Sequence, residues 1–257
     1  MDNKDYFSKE NEKKYMSYSQ FKDFLECEEM ALAKVEGRFS EPPSKAMLQG
    51  LYIDAHFSNE MEEFTKEHGD LFKKDGTLKS DYEICNKVIE AIEGDNELLD
   101  QFYSGESQRI VKGTISGVPF KGKIDMLYPT KIVDMKAMAS LEPAWDENEY
   151  RKKPFYSLYR YDLQAAIYQE LVRQETGMKL PYYLAVATKE KVPQKKVYLF
   201  SQEVLDNALN QVKELAPRFQ KIKDHELKPI CCGKCEWCLQ NKKFDIFDIE
   251  TITMEEM

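Results

Sequence analysis

GKIDMLYPTKIVDMKAM, residues 122–138, reads as the end of one β-strand, a tight turn at Pro129, and a second strand with Asp134 and Lys136 two positions apart. Strand side chains alternate between faces, so Asp134 and Lys136 project together. An antiparallel hairpin brings Asp125, near the end of the first strand, beside them. Two carboxylates on one face repel unless a cation lies between them. Hard Mg²⁺ suits such an oxygen site and keeps part of its octahedron for water and substrate. Lys136 is then placed to orient or help deprotonate a water molecule. The plainer alternative is an exposed Asp-x-Lys pair with a solvated lysine.

Working outward, residues 108–116, 118–128 and 131–135 are short and β-branched, bounded by Gly117 and Pro129, the pattern of an antiparallel meander. Upstream the period is helical. Residues after Ser17 or Ser19 supply an apolar face up to Val35, and further helices are predicted over about 46–68 and 81–93, with a short piece at 95–103. Downstream, a helical segment is predicted near 142–150 and a long helix from Pro154 to Thr176. Residues 181–188 (PYYLAVAT) and 195–200 (KKVYLF) read as strands, and Ser201 caps a last helix running to Lys223. The fold class is α/β: a mixed sheet flanked by helices in a single domain spanning 1–257. Residues 1–14 are expected to be disordered, 15–105 to form a helical N-terminal layer, 106–225 the core with the acidic site, and 226–257 a C-terminal cysteine cluster and tail ending FDIFDIETITM.

Composition bounds the function. Hydrophobic residues make up 42% of the chain and aromatics 12%, which fits a globular core and not disorder. No apolar run reaches the roughly 20 residues that span a bilayer, and the N-terminus lacks an apolar leader, so no membrane partner and a cytoplasmic location are expected. The net charge of −9 argues against a phosphate-bearing partner, but residues 107–200 hold 16 Lys/Arg and 10 Asp/Glu. That acidic pair therefore lies in the basic part of an acidic chain.

Gly122-x-x-Asp125, a short gap, then Asp134-x-Lys136 resembles the core motif of RecB-like PD-(D/E)XK nucleases. GLYIDAHF places His56 six residues after Gly50 on a predicted helix, similar to the helix whose histidine is an additional metal ligand there. YDLQAAIYQELV puts Gln164 and Tyr168 at i, i+4 beside Tyr161, similar to the Q-x-x-x-Y motif that binds DNA near the site. Within that class the opening YMSYSQFKDFLECEEMALAKVEG, the YDLQAAIYQ helix and the terminal cysteines look closest to the phage and prophage RecE-like group, the exodeoxyribonuclease VIII type.

The resemblance implies a PD-(D/E)XK nuclease-like fold and hydrolysis of DNA by an exonuclease of phage-type recombination. It implies Mg²⁺ or Mn²⁺ on Asp125, Asp134 and His56, catalysis by Asp125, Asp134 and Lys136, and DNA contacts from Tyr161, Gln164 and Tyr168. Its implied partners are DNA, a single-strand annealing protein and further copies in a homo-oligomer. A non-catalytic DNA-binding module with a structural metal, and a restriction-type endonuclease, are the rival readings.

PICCGKCEWCLQ, residues 229–240, carries Cys231, Cys232, Cys235 and Cys238, dense enough for a metal in a chain without secretion signals. Cys27 lies where some RecB-like nucleases hold the first ligand of a [4Fe–4S] cluster. Those relatives space their last three ligands C-x₂-C-x₅-C, and here the final gap is two. Three readings stand open: a [4Fe–4S] cluster on Cys27, Cys232, Cys235 and Cys238; a local Zn²⁺ that leaves Cys27 free; or reduced thiols. Cys85 is expected in the core.

Overall fold

The computed structural model describes residues 3–147 and 149–243. A mixed five-stranded sheet is its centre, built from β1 (Glu106–Ile115), β2 (Val118–Tyr128), β3 (Lys131–Met138), β6 (Tyr182–Thr188) and β7 (Lys195–Leu199), in the order β1-β2-β3-β6-β7. The first three strands form the expected antiparallel meander. The β3–β6 pair is parallel, which requires a crossover, and α10 (Tyr161–Thr176) supplies it. β7 returns antiparallel to β6.

Helices cover both faces. On one face α10 and α11 (Gln202–Lys223) pack with α3 (Tyr18–Glu26) and α4 (Glu28–Val35) over Val111, Phe120, Ile124 and Ile132. The α11 stripe is Leu205, Ala208, Val212, Ala216, Phe219 and Ile222, apolar at three- and four-residue intervals, all buried. Ser201 starts this helix, its Oγ accepting from the Val204 amide at 3.4 Å. On the other face α5 (Lys45–Phe57), α7 (Glu83–Glu93) and α8 (Asn96–Phe102) bury Ile53, Val88, Ile89 and Ile92 against Met126, Val133, Ala185 and Ala187. Short helices α6 (Met61–Glu67) and α12 (Glu236–Asn241) complete the periphery. Among the described residues no helix is long and apolar enough to cross a membrane.

Several boundaries differ from the sequence pattern. Among the described residues of 142–150 there is no helix. β4 (Ala144–Asp146) and β5 (Arg151–Lys153) pair there as a hairpin, closed by Lys153 Nζ to Asp146 Oδ2 at 2.9 Å. Its Trp145 and Tyr150 are exposed, so a helix would have had no apolar face to bury. The predicted helix from Pro154 divides into α9 (Phe155–Leu158) and α10 at Arg160, whose φ is +57°. The predicted 46–68 helix breaks between α5 and α6, where Asn59 has φ +61°. The N-terminal helix breaks at Cys27, which is extended.

Nor are residues 3–14 free. α1 (Asn3–Tyr6) and α2 (Lys9–Lys14) dock on the body, where buried Lys121 pairs with Glu12 Oε1 at 2.6 Å. Lys223 donates to Glu12 O at 3.1 Å and Tyr15 O at 2.9 Å, tying α2 to α11. The tail FDIFDIETITM lies outside the described residues.

Candidate active site

The site forms where β2 and β3 part. Their ladder covers only Met126–Tyr128 against Lys131–Val133; beyond it β3 continues on β6 alone. The Met135 amide is thereby freed from β2, and Asp125 Oδ2 accepts it at 2.8 Å. Lys136 Nζ lies 2.5 Å from Asp134 Oδ2 and 3.9 Å from Asp125 Oδ2, so both carboxylates converge on one ammonium. That ammonium also sits 5.3 Å from the centre of the Tyr161 ring. The hairpin and the two-residue spacing thus bring Asp125, Asp134 and Lys136 together.

The opposite wall of the cavity, which encloses about 350 Å³, comes from α5 and includes Gly50 and Asp54. Asp54 carries a third carboxylate. Gln108 Nε2 donates to both of its oxygens, at 3.0 and 3.1 Å. Gln108 itself is buried with φ +55°, a left-handed conformation costly for a residue with a Cβ. The resemblance to RecB-like nucleases had put His56 here. His56 instead meets Glu93 Oε1 through Nε2 at 2.8 Å on a part-exposed surface and does not line the cavity. Residues two apart on a helix point about 200° from each other, so the face that presents Asp54 turns His56 away. The usable signal was Gly50 and Asp54, one helical turn apart on the same side.

Gln164 and Tyr168 also differ from expectation. Gln164 Nε2 donates to Asp134 Oδ1 at 2.7 Å, and the Tyr168 hydroxyl hydrogen-bonds Gln164. Both residues are buried, and Gln164 braces the Asp134 carboxylate. Gly122 is needed for this packing: a Cβ there would lie 2.8 Å from Tyr168 Cε1. Tyr161, by contrast, lines the cavity.

The electrostatics match a cation site. Burial, then the charge of Asp125, pushes Asp54 up to about 7. Burial likewise raises Asp134, with Lys136 opposing and Asp125 adding to the rise. Burial works against the charge on Lys136, but Asp134 and Asp125 outweigh it and hold the ammonium protonated. Asp134 Oδ2 is buried and makes no well-directed hydrogen bond despite the nearby ammonium. Three carboxylates against one lysine leave a partly buried negative surplus of oxygen donors, which fits a hard divalent cation.

A second cluster lies elsewhere. Cys27, Cys232, Cys235 and Cys238 bring their Sγ atoms within 4.8 Å of one another, while the Cys231 side of the turn is exposed. Cys85 is buried on α7, as expected, and donates to Gln49 O at 3.7 Å.

A mixed sheet between helical layers, with two aspartates and a lysine converging where its strands part, defines the PD-(D/E)XK nuclease fold. Residues 17–241 match the family described as PDDEXK-like domain of unknown function (DUF3799), and the chain belongs to that family. It is similar over 100% of its length, and over 97% of the other chain, to a crystal structure from Eubacterium rectale of a protein described as a candidate exonuclease, with 33% identity and a TM-score of 0.89. No curated protein sequence matches it.

Proposed function

We propose that the protein is a deoxyribonuclease that hydrolyses phosphodiester bonds with Mg²⁺ or Mn²⁺ and digests DNA from its ends. The observation that carries this reading is that Asp54, Asp125 and Lys136 line one cavity while buried Asp134 meets the same Lys136 ammonium. Asp54, Asp125 and Asp134 are the residues that would hold the cation. Bound there, it supplies Lewis acidity toward a phosphoryl oxygen. Lys136, held protonated by its two aspartates, donates to the charge that grows on the phosphate oxygens. Tyr161 beneath the ammonium limits its positions, and Gln164 fixes the rotation of Asp134. His56 is left out of the ligand set.

Digestion from ends draws support from the Eubacterium rectale neighbour and from the RecE-like sequence features. The same features extend the reading to phage-type recombination, with a single-strand annealing protein and further copies of the chain as partners. End-labelled linear duplex and a covalently closed circle, each incubated with protein and Mg²⁺ or Mn²⁺, test the proposal. Linear DNA should be degraded and the circle spared. Rapid nicking or linearisation of the circle would favour the endonuclease, and two intact substrates would favour a binding module.

A further inference from the structure

We infer that Cys27, Cys232, Cys235 and Cys238 hold a single tetrahedral Zn²⁺ ion that clips the α3–α4 break to the C-terminal turn. The inference uses no step of the nuclease reading.

Sulfur spacing carries it. Cys27 Sγ lies 3.5 Å from Cys238 Sγ, Cys232 Sγ lies 4.0 Å from Cys238 Sγ, and all four fall within 4.8 Å of one another. Four thiolates about 2.3 Å from one ion stand at the corners of a tetrahedron with edges of about 3.8 Å. A [4Fe–4S] cubane places a separate iron beneath each thiolate, which spreads the four sulfurs wider than one shared ion does. The observed separations match the tetrahedral edge and fall short of the cubane spacing. A disulfide would join only two of the four.

The backbone is shaped for the same end. Cys232 and Cys235 flank a turn in which Gly233 has φ +73°, and the Cys235 amide donates to Cys232 Sγ at 3.3 Å. Cys235 caps α12 and Cys238 follows one turn later, buried. Cys27 reaches the group because the chain is extended there between two helices, with φ −163° and ψ 114°. Contacts independent of sulfur hold the two segments in register. The Ile230 amide donates to Glu28 Oε2 at 2.8 Å, Arg218 forks onto Glu28 at 2.7 and 2.9 Å, and the Glu29 amide donates to Ile230 O at 3.3 Å. Met30, Phe39 and Trp237 pack around the thiols. The structure thus combines what the sequence kept apart: Cys27 belongs to the group, and the group has the size for one ion.

The full-length protein, purified anaerobically without added metal, should contain one zinc per chain, no iron or labile sulfide, and no absorption near 400 nm. Iron with sulfide would overturn the proposal. So would metal-free protein in which Cys27 is alkylated as readily as exposed Cys231. Cys27→Ala should lose the zinc and melt lower by about 5 °C or more; Cys231→Ala and Asp134→Asn should each keep it. Should Cys27→Ala not fold, zinc-edge absorption on the wild-type protein decides the matter. Four sulfurs at about 2.3 Å support the site, and fewer sulfurs or a mixed oxygen shell refute it.

Discussion

The acidic cavity and the cysteine turn both gather metal-binding side chains, and they do so in opposite ways. The cysteines are contracted to within 4.8 Å, and two of the four are fully buried. Asp54 and Asp125 line opposite walls of a cavity of about 350 Å³, Asp134 is buried against Lys136, and that lysine meets part of their charge. Soft ligands closing fully round an ion make a structural clip. Hard ligands left apart beside a lysine leave room for water and substrate. On the proposed reading, the same chain would separate a metal that holds it together from a metal that does chemistry.

The largest break in that comparison should come from Asp134→Asn. Loss of a ligand charge should cut DNA hydrolysis on the order of 10³-fold, with the fold and the zinc content unchanged. Retained hydrolysis would place the chemistry elsewhere; loss of zinc as well would show that the two sites are coupled. A smaller effect is expected from Gln164→Ala, which frees Asp134 Oδ1 from its 2.7 Å partner. Affinity for Mn²⁺ should fall roughly 10- to 100-fold by calorimetry, as for other groups that orient a ligand. Equal affinity would mean that Gln164 is packing alone.

Gly122→Ala should act on stability. Its Cβ would press on the buried Tyr168 ring at 2.8 Å, and overpacking of this kind costs roughly 1–3 kcal/mol in denaturant titrations. The double variant with Tyr168→Leu should recover part of that loss; no recovery would assign the strain to another neighbour. The smallest effect belongs to His56→Ala. The imidazole meets Glu93 on a part-exposed surface, so stability should move by no more than about 0.5 kcal/mol and hydrolysis not at all. A large fall in activity would restore His56 to the site.

Much of this was legible in the sequence. The meander, the Ser201 cap and the β6–β7 pair follow from short-range signals, and Asp125, Asp134 and Lys136 follow from strand periodicity and one tight turn. What was hidden depends on which face of an element packs. GLYIDAHF holds both Asp54 and His56, and only the seating of α5 against the sheet decides that Asp54 turns inward. Gln164 and Tyr168 sit at the expected spacing, yet the same spacing serves a surface or a buried brace, and burial chose the brace. The hairpin at 144–153 escaped because its three-residue strands are too short to show a period. Cys27 could join Cys238 only through tertiary contact 211 positions away.

The central claim is that Asp54, Asp125 and Asp134 together hold a divalent cation beside Lys136. Crystals soaked in Mn²⁺ and measured for anomalous scattering test it most directly. The account predicts a peak in the cavity bonded to all three carboxylates, absent from Asp134→Asn crystals. A cavity without a peak, or a peak between His56 and Glu93, would contradict it.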